Sequence, residues 1–128
     1  GRCFYCYSPI SISNQDYNLA DVDHFLPWML NDSLPNVNGI WNLVLACKDC
    51  NRGVNGKFAR VPTIELLSRL HKRNEYFINS HLPLRETLIQ QTGNNEPKRK
   101  QFLQQSYNIA KATLIHEWQP EIKGIMTF

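Results

Sequence analysis

The sequence predicts an α+β fold on three observations. β-friendly segments crowd the first half, helical periodicity governs the chain from Val61 onward, and two Cys-x-x-C pairs bracket the first half. At 128 residues the chain has room for one domain, or a small domain with an extension. Its 42% hydrophobic and 20% charged content is ordinary for a globular protein. No apolar run approaches the roughly 20 residues that span a bilayer, and no secretory pattern opens the chain, so neither a membrane partner nor an exported, disulfide-built protein is expected. The formal charge of +3 favours nucleic acid only slightly. Because Gly1-Arg2-Cys3 starts almost on a cysteine motif, the chain reads as a domain cut from a longer protein, whose other domains are expected partners.

The first element is the knuckle Cys3-x-x-Cys6, matched later by Cys47-x-x-Cys50 with no cysteine to spare. The turn inside each pair aims two thiolates at one point while backbone N–H groups face the sulfurs. Two knuckles make a tetrahedral four-sulfur cage, the closed coordination of structural zinc. Two disulfides or a redox pair are the alternatives; the missing secretory signal argues against the former. Zinc held this way fastens the N-terminus to the middle of the chain.

Between the knuckles, Asp21–Leu26 reads as a strand that Pro27 ends. Asn31 to Gly39 is turn chemistry throughout. Ile40–Ala46 is a second strand or extended apolar segment, and it runs into Cys47-Lys48-Asp49-Cys50-Asn51-Arg52, where a short helix can begin. Trp28 and Trp41 are expected in the core.

The stretch DVDHFLPW, then WNLVLAC, then CKDCN resembles the HNH endonuclease family in its zinc-bound ββα-metal form. The resemblance spans roughly Cys3 to Lys57. It implies a nuclease core over residues 1–61, with residues 62–128 as a helical extension packed on it. It further implies a divalent-metal-dependent enzyme that hydrolyses phosphodiester bonds of DNA, in a prokaryotic cytoplasm, as a restriction, phage-defence or mobile-element effector. His24 takes the place of the general base, a role suited to a neutral imidazole with a reference pKa of about 6.5. Its ring should be held by a carbonyl or similar acceptor. Asp23 and Asn51 take the places of oxygen ligands to Mg²⁺ or Mn²⁺, hard cations that prefer such donors. Successive strand residues face opposite ways, so Asp23 and His24 can flank one site only at a strand end or irregular backbone. Asn42 matches the middle position, which holds the loop that presents the histidine. The family often places a lysine soon after the last position, as C-N-x-x-K. Here Lys57 comes three residues later, behind two glycines, which leaves Asn55 as the alternative ligand to Asn51. Arg52, Lys57 and Arg60 are candidates for phosphate contact. Asp21 matches no motif position and reads as solvated, or as a partner to the ligands. A double-strand cut from one such centre calls for two protomers or two binding events, so dimerisation is compatible with this reading.

In the second half, Thr63 caps a helix from Ile64 to near Ser80, striped by Leu66, Leu67, Leu70, Asn74, Phe77 and Ile78. Pro83–Thr92 forms a shorter helix stopped by Gly93. Asn95 caps a last helix running to about Trp118, with Phe102, Ser106, Ile109, Ala110, Thr113 and Leu114 inward. Lys72-Arg73, Arg85 and Lys98-Arg99-Lys100 read as solvated or DNA-facing charge. His71, His81 and His116 lack ligand spacing. The rival to the nuclease is a non-catalytic zinc-ribbon module binding nucleic acid or protein, which needs the cysteines but neither Asp23 nor His24.

Overall fold

Strands β1 (Asp21–His24) and β2 (Leu43–Ala46) pair antiparallel, Asp21 opposite Ala46 and His24 opposite Leu43, in a computed structural model that describes residues 1–13 and 15–126. Helix α1 (Lys48–Arg52) follows β2 directly and packs against β1. The chain then pairs a two-residue strand, β3 (Val61–Pro62), in parallel with β4 (Glu117–Trp118). Between them run α2 (Ile64–Asn79), α3 (Arg85–Thr92) and α4 (Glu96–Thr113), which contact one another. The architecture is α+β. No helix among the described residues is long and apolar enough to cross a membrane.

Several boundaries differ from expectation, each for a local reason. β1 stops at His24 and not Leu26, because the Asn42 side chain takes both backbone groups of Leu26. Residues 40–42 form a 3₁₀ turn that turns Asn42 inward, so β2 begins only at Leu43. The third helix starts at Arg85, with Leu84 as its N-cap. α4 ends at Thr113, and the chain beyond it extends to lay Trp118 beside Pro62. The buried stripe of α4 is Arg99, Leu103, Ser106, Tyr107 and Ala110, whereas Ile109 faces solvent.

One apolar cluster draws on every part of this layout, from Cys3 and Phe25 through Leu70 to Leu103 and Trp118. Trp41 is fully buried and meets the edge of Phe102 at 4.9 Å. Trp28, expected inside, is instead 54% exposed on the 3₁₀ turn after Pro27.

Two arginines four residues apart on α2, hence on one face, fasten the helices to the first half. Arg69 donates to the carbonyls of Phe4 and Tyr5 and lies over the Tyr7 ring. Arg73 is buried and donates to the carbonyls of Ile40, Trp41 and Leu43. Arg99 is buried too, with a two-pronged bond to Glu75 at 2.7 and 2.8 Å. Arg73 and Arg99 therefore serve as internal struts, and the reading of these two as solvated or DNA-facing charge is corrected by their burial. Beyond β4 the chain returns to the first knuckle, where Lys123 and Gly124 N–H both donate to the Cys6 carbonyl. A Cβ on Gly124 would sit 1.8 Å from the Tyr7 carbonyl oxygen, so this approach needs glycine.

Candidate active site and zinc cage

The sulfurs of Cys3, Cys6, Cys47 and Cys50 all lie within 4.8 Å of one another, and no disulfide joins them. Cys6 and Cys47, one from each knuckle, have their Sγ atoms 3.7 Å apart. Tetrahedral zinc with Zn–S bonds of about 2.3 Å separates its sulfurs by about 3.8 Å, so the cluster fits that ion. Backbone N–H groups of Tyr5 and Cys50 face the sulfurs of Cys3 and Cys47. Hydrogen bonding to Cys3 and Cys6, followed by burial, pushes the Cys50 thiol far above its ordinary range. Four sulfurs crowded this closely ionise together only around a cation.

The cage holds the hairpin in register with α1 and so sets out the polar side chains beside it. Asp21 and Asp23 share one face of β1, the face toward α1, and Asp23 is only 8% exposed. Its Oδ2 accepts from the Tyr5 hydroxyl at 2.6 Å and lies 3.3 Å from Lys57 Nζ. Oδ1 accepts no hydrogen bond among the described residues. Burial, then the charge of Asp23, pushes the Tyr5 phenol well above its usual range, so it stays a donor.

Lys57 is fully buried. Its ammonium has three protons and three acceptors within reach: Asp23 Oδ2, the His24 carbonyl at 2.9 Å and the Phe58 carbonyl at 3.4 Å. Burial pulls its pKa down, and Asp23 opposes that pull. An ammonium enclosed this way cannot reach a phosphate, which corrects the expectation that Lys57 contacts nucleic acid. The sequence marks this role only weakly, through the glycines that let the chain fold back. Gly56 is one: a Cβ there would meet Gly53 N at 2.8 Å and the Asp49 carbonyl at 2.9 Å.

His24 closes β1. Its Nε2 is 2.8 Å from Asn38 Oδ1, in the turn-rich loop. An amide oxygen only accepts, so Nε2 donates to it, which leaves Nδ1 as the ring position for a lone pair. Nδ1 has no partner among the described residues. Asn42 is fully buried and clamps the same loop: Oδ1 accepts from Leu26 N–H, and Nδ2 donates to the carbonyls of Leu26 and Val37. Asn42→Ala leaves those three backbone groups without partners, at about 1–3 kcal/mol for each buried group. A loss of about 3 kcal/mol in urea unfolding is expected, and a loss below about 1 kcal/mol would show that the loop holds without the clamp.

Asn51 lies in α1, its N–H bonded to the Cys47 carbonyl and its own carbonyl accepting from Phe58 N–H. Its Nδ2 donates to Asp21 Oδ2 at 3.0 Å, the oxygen that also accepts from Arg52 Nε at 2.8 Å. Oδ1 of Asn51 accepts nothing among the described residues. The bond from Arg52, and then that from Asn51, holds the Asp21 carboxyl below its usual range. Arg52 keeps a side chain that is 59% exposed, whereas Arg60 turns its guanidinium to the carbonyls of Gly56 and Lys57. Asn55 is exposed beyond the helix, and its carbonyl accepts from Trp118 Nε1. Hydrogen bonds thus link His24, Asp23 and Asn51 through the Lys57–Phe58 segment, with Asn42 bracing the loop. Tyr5, Asn38 and Asp21 join them as residues that no sequence motif marks.

Residues 3–62 match a family model described as HNH endonuclease. No curated protein and no solved structure matches the chain significantly.

Proposed function

We propose, taking as premise that residues 3–62 belong to the HNH endonuclease family, that this protein hydrolyses DNA phosphodiester bonds with the help of a hard divalent cation. One observation carries the reading. Three side chains each commit one polar atom to the protein and leave the other uncommitted: His24 Nδ1 beside a held Nε2, Asp23 Oδ1 beside a held Oδ2, and Asn51 Oδ1 beside a held Nδ2. A base needs a free lone pair and a fixed ring, and a ligand needs a free oxygen on a fixed side chain.

In this reading His24 Nδ1 removes the proton of the attacking water, and Asn38 steadies the imidazolium that forms. Asp23 and Asn51 offer Oδ1 to Mg²⁺ or Mn²⁺; Asn55 is set aside because its exposed side chain has no hydrogen bond to fix it among the described residues. When bound, the ion supplies Lewis-acid relief of charge on the phosphoryl group and on the departing 3′-oxygen. Water adds to phosphorus, the P–O3′ bond breaks, the departing 3′-oxygen takes a proton from solvent water, and the products carry 5′-phosphate and 3′-hydroxyl. Arg52, which keeps exposed guanidinium area, contacts phosphate. Residues 1–61 are the catalytic unit and residues 62–128 its brace. Zinc is confined to the cysteine cage.

Plasmid nicking tests this. Wild type should relax supercoiled DNA with Mg²⁺ or Mn²⁺, and His24→Ala should lose about 10²–10⁴-fold in rate while keeping its zinc and urea midpoint. Equal nicking by both proteins would remove His24 from the chemistry. DNA binding without nicking by either protein would favour the non-catalytic zinc module.

A further inference from the structure

We infer that Asp21 is a positioning residue, whose task is to hold the Asn51 amide so that its oxygen and not its nitrogen meets the cation. The inference rests on the cation-dependent reading above and assigns it a residue outside the family motif.

An asparagine amide is nearly symmetric in shape and opposite in polarity at its two ends. Turned one way it offers a hard cation an oxygen; turned the other way it offers two N–H donors and repels the ion. A ligand of this type therefore needs something that recognises its NH₂ group, and the recogniser must be an acceptor. Asp21 Oδ2 accepts from Asn51 Nδ2 at 3.0 Å across the β1–α1 contact. The Asn51 backbone is already fixed on both sides, by the Cys47 carbonyl and by Phe58 N–H, so the side-chain torsions are the freedom that remains. Asp21 removes it.

The same carboxylate oxygen accepts from Arg52 Nε at 2.8 Å. That bond has two effects. It fixes the orientation of the Asp21 carboxylate, so that Oδ2 stays turned to the NH₂ end of the Asn51 amide. It also gives Asp21 a charged partner, as Lys57 Nζ at 3.3 Å gives Asp23, so what separates the two carboxylates is that Asp21 is bonded to the Asn51 amide. The spacing Asp21-x-Asp23 on one strand face thus divides labour between an orienting carboxylate and a ligating one.

The test titrates Mn²⁺ by electron paramagnetic resonance on the full chain with zinc in place. A phosphorothioate duplex is present so that binding is read without turnover. Asp21→Ala should weaken Mn²⁺ binding by about 10–100-fold, the usual loss when a partner to a metal ligand is removed. Asp21→Asn keeps an amide oxygen able to accept from Asn51 and should stay within about 3-fold of wild type. Asn51→Asp sets two carboxylates against each other and should be as weak as Asp21→Ala. The double exchange D21N/N51D restores a donor facing an acceptor and should recover most of that loss. Zinc content and urea midpoints identify any variant that fails to fold, and the Asn exchange carries the test if Asp21→Ala does. Unchanged Mn²⁺ affinity in Asp21→Ala overturns the inference. So does Asp21→Asn as weak as Asp21→Ala with no recovery in the double exchange, because Asp21 would then ligate the ion itself. Wild type that binds Mn²⁺ with the expected responses yet leaves plasmid intact sinks the nuclease reading alone. Wild type that binds no Mn²⁺ sinks both.

Discussion

Cys47→Ser is expected to abolish the cooperative unfolding transition of this protein. The exchange is chosen to isolate the metal. Cys47 is also the N-cap of α1, accepting from Cys50 N–H, and serine is a good N-cap, so the helix start is preserved. What is lost is a thiolate. Structural zinc in such cages contributes on the order of 10–16 kcal/mol of apparent binding free energy, whereas a domain's whole stability is about 5–15 kcal/mol. Losing a large part of the former cancels the latter. The cage also joins residues far apart in the chain, so without it the first knuckle is left to weaker links such as the bond from Phe4 N–H to the Leu45 carbonyl of β2. Prolonged chelation of the wild type should give the same outcome by another route. Native mass spectrometry should find one zinc in the wild type and none in the variant, and near-ultraviolet circular dichroism should collapse with it. A Cys47→Ser protein that unfolds cooperatively within about 1 kcal/mol of wild type would rule out zinc as the staple.

The second large effect is expected at Lys57. Lys57→Met keeps the length of the side chain and removes its charge. Asp23 then remains buried with, among the described residues, the Tyr5 hydroxyl as its side-chain partner, and the carbonyls of His24 and Phe58 lose a donor. Removing one partner of a buried ion pair costs about 3–5 kcal/mol, read as a fall in the urea midpoint of the zinc-loaded protein. Asp23→Asn in the same chain neutralises the stranded carboxylate and should recover part of the loss. That recovery separates a charge effect from simple loss of packing. If Lys57→Met is as stable as wild type, the ammonium is not the counter-ion of Asp23.

Much of the architecture was legible because its signals are short-range. Cysteine spacing brought four sulfurs together; the Thr63 and Asn95 starts and the Gly93 stop framed the helices. Misread features depend on contacts between distant segments. Lys57, Arg73 and Arg99 are charged, and charge in a lone sequence suggests solvent. Each is buried by carbonyls or carboxylates that the chain brings from elsewhere, and a sequence pattern does not encode those partners. Trp118 was read as helical because nothing local distinguishes it; pairing with Val61–Pro62 overrides helix continuation after Thr113. Around the candidate site, His24, Asp23, Asn42 and Asn51 stand out by motif. The residues that orient them do not, because Asn38, Tyr5 and Asp21 share only proximity in space.

The return of the chain onto its own beginning has a consequence for biosynthesis. A ribosome releases residues from the N-terminus onward, at about 5–20 per second. The cysteine cage can close as soon as Cys50 has emerged, and the helices can dock in turn. Trp118, whose ring meets the edge of Tyr5 at 5.0 Å, arrives only after the helices, and Lys123 and Gly124 reach the Cys6 carbonyl after it. Tyr5 is the residue that grips Asp23. During translation the strand that carries Asp23 therefore waits, uncovered, for a seal made by residues that emerge long after it.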